Sequence, residues 1–110
     1  MTMLRAIAGG GGEVEQGRMG EAIIARYLAD HCRGDGDALY ALGVAYSTGS
    51  NGLSCDMIEA HRWLNIAAAQ GHREAGQCRA DVAEEMTARD IAEAQRRARE
   101  WLRHSHRRAA

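Results

Sequence analysis

No proline occurs in this chain of 110 residues. Proline removes a backbone donor and fixes φ, so its absence leaves no long segment with an obligatory helix breaker. Most segments are rich in Ala, Leu, Glu, Arg and Gln, the better helix formers. The sequence therefore predicts an all-α fold of about five helices, and its length fits one small domain. Hydrophobic residues at 45% can build a core, and charged residues at 26% keep the surface wet. Phe is absent and aromatics are only 5%, so much of the apolar content is Ala. A core of that kind is shallow, with closely spaced helices.

Glycine supplies the punctuation. The run GGGG at 9–12 will not hold a helix, because each Gly costs about 1 kcal/mol relative to Ala. Residues 1–12 read as a flexible lead, and the GK[ST] that would make the run a phosphate loop is missing. A first helix is expected over 14–32, with Met19, Ala22, Ile23 and Tyr27 on one face and Ile24 and Leu28 widening it. The segment CRGDGD at 32–37 closes that helix, with Gly34 as its left-handed end. The RGD triplet inside it reads as a turn.

The stretch ALYALGVAYSTG predicts a second helix over 38–48, with Asp37 as N-cap. Leu39, Leu42, Gly43 and Tyr46 share one face, and Ala38, Ala41 and Ala45 form a second, small-residue face. Such a helix is built for packing on two sides. Gly49 ends it, and Gly52 is placed to take positive φ in the following loop. Asp56 and Glu59 form a capping-box-like pair that starts a third helix. Its stripe is Ala60, Trp63, Leu64, Ala67 and Ala68, and Gly71 stops it. The second and third helices are expected to form an antiparallel hairpin. A weakly apolar fourth helix follows over 73–85, with Ala75, Cys78, Val82 and Met86. Thr87 caps a fifth, whose buried stripe is Ile91, Ala94, Ala98, Trp101 and Leu102. HSHRRAA at 104–110 reads as a frayed basic tail.

A loose internal repeat underlies this order. Gly34 and Gly71 lie 37 apart (71 − 34), and the same shift carries Ala38 to Ala75 and Tyr27 to Leu64. That period falls among helix-pair repeats. Residues 38–72 resemble a unit of the Sel-one-like repeat family, an α-helical solenoid similar to tetratricopeptide repeats. The residues that carry the resemblance are Ala38, Leu42, Gly43, Tyr46, Gly49, Gly52, Asp56, Ala60, Trp63, Leu64, Ala67, Ala68 and Gly71. Residues 84–101 resemble the C-terminal segments that close such arrays in bacterial members. The resemblance implies a short right-handed solenoid of antiparallel helix pairs over 13–103, with 73–103 as capping helices. It departs from the pattern at Arg26, where the tryptophan would stand, and at Arg79 and Ala80, where Leu-Gly would stand. With one complete unit, the first, fourth and fifth helices must act as caps, or the chain must pair with another copy or a partner.

The family's general role as a scaffold implies a protein-protein interaction module or adaptor, with no catalysis and no cofactor. Cysteine-rich bacterial members that bind or hydrolyse β-lactams carry regularly paired cysteines. Cys32, Cys55 and Cys78 show no such pairing and no CxxC spacing. Reduced thiols and the lack of a signal-peptide core point to a cytoplasmic setting. His61, His72, Cys55 and Cys78 lack zinc-site spacing and read as surface His and buried Cys. Glu84 and Glu85 diverge on a helix and read as a solvated face.

Partner chemistry is constrained more than identified. The net charge of −1 argues against broad attraction to nucleic acid or membrane. Residues 96–110 nevertheless hold six arginines and one acid, so this end offers an alternative contact to RNA, anionic lipid or an acidic partner. All 14 basic residues are Arg. In helix-pair solenoids the first helix of each pair lines the concave face. That assigns Tyr40, Val44 and Ser47, which lie outside the leucine stripe, as the candidate surface for a peptide or helix. The same three residues could instead pack on the fourth helix or on a second copy, and open repeat ends could assemble with themselves.

Overall fold

The computed structural model describes residues 18–109, with side chains as far as Ser105. Within them the chain is all helical, without strands, and forms five helices. These are α1 (18–32), α2 (Ala38–Thr48), α3 (Met57–Ala69), α4 (Arg73–Ala83) and α5 (Ala88–Ala109). The expected start of α1 at 14 and the GGGG run lie outside the described residues.

α3 is the central element, packed against α2, α4 and α5. Contacts along the chain give the directions. Gly43 meets Leu64 and Gly49 meets Cys55, so α2 and α3 are antiparallel. Asn65 bonds Arg79 while Ala68 faces Gly76, so α3 and α4 are antiparallel too. Glu59 meets Arg97 and Trp63 meets Trp101, so α5 runs parallel to α3.

The closeness of α2 and α3 comes from one missing side chain. A Cβ on Gly43 would stand 2.7 Å from Leu64 Cγ and 3.2 Å from the Leu64 backbone nitrogen. Leu39, Leu42, Leu64 and Ile66 are the largest fully buried side chains. Gly52 in the following loop has φ +86°, and a Cβ there would collide with Ile23 Cδ1 of α1. Asn51 Nδ2 donates to Tyr27 Oη at 3.1 Å, so the α2–α3 loop is held against α1 on both polar and apolar terms.

The helix ends repeat. Gly34 has φ +97° and Gly71 has φ +98°. After α1, Asp35 N–H bonds Asp30 O at 3.0 Å and Gly34 N–H bonds His31 O at 3.0 Å. After α3, His72 N–H bonds Ala67 O at 3.0 Å and Gly71 N–H bonds Ala68 O at 3.0 Å. Both are Schellman ends, and each bond of one maps onto the other by the shift of 37 (71 − 34).

Several sequence expectations are corrected. Met19 is 57% exposed, and Ala22 is exposed as well, so α1 buries only part of the face expected of it. α4 ends at Ala83, which leaves Glu84 and Glu85 in an exposed turn. α5 continues through Ala109, past the boundary expected at 104. The stretch HSHRRA at 104–109 holds no Gly or Pro, so no residue stops the helix. Asp37 holds the N-cap position of α2 but makes no capping bond with its side chain. Its carboxylate pairs instead with His72 Nε2 at 2.8 Å. Asp56 and Thr87 do cap α3 and α5, each accepting at 3.1 Å from the backbone N–H three residues on.

Candidate functional site

Tyr40, Val44 and Ser47 project from α2 on the side away from Leu39, Leu42 and Tyr46, and all three are half-buried. Tyr40 stacks on the His72 ring with centroids 4.4 Å apart and planes 16° apart. His72 is itself fixed. Its Nδ1 accepts from Ala75 N–H at 3.2 Å to cap α4, and its Nε2 faces Asp37. The tyrosine is therefore a wall between α2 and the start of α4. Ser47 turns its hydroxyl back to Val44 O at 2.8 Å, and Thr48 Oγ1 donates to the same carbonyl at 3.0 Å. Val44 is the member of the trio whose side chain is not otherwise engaged by a polar or aromatic partner.

A second concavity was not legible in the sequence. A groove of about 660 Å3 runs between α1 and α5 over the end of α3. Leu28, His31 and Cys32 line one side, Gln70 lies at its end, and Trp101 and His104 line the other. Trp101 stands edge-on to Trp63 at 5.5 Å and tilted against His31 at 5.8 Å. Two residues 70 positions apart thus meet across it (101 − 31). The signal was the Trp101 position on the α5 stripe, but nothing local pairs it with His31.

Glu59 organises the outer face of α3. It accepts from Arg62 at 3.0 Å and from Arg97 of α5 at 2.9 Å, and Arg62 lies over the Trp63 ring at 4.4 Å. Tyr46 has its hydroxyl pKa raised, by burial first and then by Glu59 and Asp56. On α5, hydrogen bonds from Arg96 and Arg97 pull Glu93 down to about 2. Arg99 and Arg103 are exposed and make no ion pair among the described residues.

The histidines and cysteines fall differently from the sequence reading. His61 is 3% exposed and sits inside the fold, not on the surface. Cys55 is exposed and Cys78 is half-buried, with burial and then Asp81 raising its thiol pKa. Among the described residues, no group of three or more His, Cys, Asp or Glu is placed to hold a metal ion. Within the same residues, no helix is long and apolar enough to cross a membrane. No family model matches the chain, and neither a curated protein nor a solved structure is similar to it.

Proposed function

We propose that the chain is a non-catalytic protein-binding adaptor of Sel-one-like repeat type, which takes a peptide or helix of another protein on α2. Tyr40, Val44 and Ser47 are the contact residues, and a reducing cytoplasm is the setting. The observation that carries this reading is the shift of 37 (71 − 34) relating the ends of α1 and α3 bond for bond. A helix pair bounded by equivalent turns is the unit of a repeat array. Such arrays line their concave binding face with the first helix of each pair. Support for the particular trio comes from its chemistry. It offers a phenol edge and an isopropyl group with no charge, on a scaffold fixed by the Tyr40–His72 stack.

A photo-reactive side chain placed at Val44 in the full chain tests this, with the same group at Arg99 as control. Expressed in the native cell, the Val44 probe should give one discrete adduct with a different protein, and Tyr40→Ala should abolish it. Adducts formed at Arg99 and not at Val44 would move the interface to the basic side of α5. Adducts with a second copy of the chain would make it a self-assembling unit instead.

A further inference from the structure

His61 is the buried titratable group that the binding reading leaves unused. It lies on α3, is 3% exposed, and its Nδ1 has no hydrogen-bond partner among the described residues. Arg79 of α4 stands across from it, and Arg79 Nη1 donates to Asn65 Oδ1 at 2.6 Å, which holds the guanidinium in the seam. Nothing offsets that charge at His61. α2 carries no charged residue. α5 commits Arg97 to Glu59 and Glu93. The carboxylates of α4 and its turn, Glu74, Asp81, Glu84 and Glu85, are exposed. Burial first, and Arg79 second, push the imidazole's pKa below its ordinary value. No other charged group contributes to that push.

We propose that the α3–α4 seam is an acid-sensitive latch, shut while His61 is neutral and opened when its imidazole takes a proton. The proton adds a second positive charge beside Arg79 in a site almost closed to water. It also leaves one more buried donor without an acceptor. Both penalties vanish if α4 lifts off. The sign follows from linkage. A histidine whose folded pKa is depressed binds more protons in the open state, so closure is favoured above the ordinary value and weakens as pH falls below it. Lifting α4 also removes His72 from Tyr40 and Asp37, so the same proton uncovers the side of α2 next to Val44. The latch does not depend on the binding reading. It would operate whatever α2 contacts.

Histidine ring NMR and amide hydrogen exchange, run on the full chain from pH 7.5 to 4.5, test it. After correction for intrinsic exchange, opening of α4 amides should grow by up to about tenfold per pH unit below about 6.5, while α2 amides facing α3 change little. The His61 ring should titrate below the ordinary histidine value, and Arg79→Met should move its midpoint up. In His61→Leu the acid dependence of α4 exchange should disappear. A His61 ring that titrates at the ordinary histidine value would overturn the proposal. Flat α4 protection, or unchanged acid dependence in His61→Leu, would do the same. If His61→Leu does not fold, the wild-type and Arg79→Met titrations decide.

Discussion

α3 has two neighbours of opposite character. Toward α2 its seam is mainly apolar: Gly43 admits Leu64, and Leu39, Leu42 and Leu64 fill the space. Toward α4 the seam carries an imidazole with an unpaired nitrogen and an arginine bonded to an asparagine. The difference teaches how a small, phenylalanine-free core divides its tasks. Packing against α2 holds the hairpin together, and polar pairing lets α4 be seated or released.

The largest test removes the element both seams share. Trp63 is 3% exposed and braces Trp101, so Trp63→Ala should cost about 3 to 5 kcal/mol in urea unfolding. An unchanged melt would sink the helix-pair reading itself. Next comes the apolar seam. Gly43→Ala gains about 1 kcal/mol of helix propensity but drives a methyl into Leu64, so a net loss of about 1 to 3 kcal/mol is expected. Combining it with Leu64→Ala should give less than the sum of the two single losses, because one change makes room for the other.

The polar seam should respond more weakly. His72→Ala removes the α4 cap and the Tyr40 stack, for about 1 kcal/mol, and His72→Asn should restore part of it. The smallest effect is expected away from both seams, at Glu93. Its folded pKa of about 2 lies below the ordinary carboxylate value, so its contribution is present above about 4.3 and is lost as pH falls toward 2. The side chain is partly exposed, so salt should screen this contribution. Comparing wild type with Glu93→Gln in urea at pH 5 and pH 3 should show a slightly steeper loss in wild type.

The same division marks what could be read in advance. The bounds of α2 and the caps at Asp56 and Thr87 were legible because capping and periodicity act within a few residues. The N-cap position of Asp37 was legible too, but not the loss of its capping bond to His72, a partner 35 positions on (72 − 37). His61 was placed on the surface by residue type alone, and helices distant in sequence bury it. Cys55 was placed inside on the same ground, yet it sits in the loop after Gly52 and is exposed. Tyr40, Val44 and Ser47 were separable from the leucine stripe by spacing. The Tyr40–His72 stack and the His31–Trp101 groove were not, since neither has a local signature.

The matching turns at Gly34 and Gly71 have a consequence for how such a chain can change length. Two breaks in the chain that share the same hydrogen bonds and the same backbone angle are interchangeable joints. Residues 35–71 therefore behave as a cassette: a duplicate spliced in after Gly71 would begin from the same stub as the original. What it would lose is a suitable neighbour, because the shift of 37 (71 − 34) that carries Tyr40, Val44 and Ser47 along the chain lands on Gln77, Asp81 and Glu84. These three are exposed, where Tyr40, Val44 and Ser47 are half-buried.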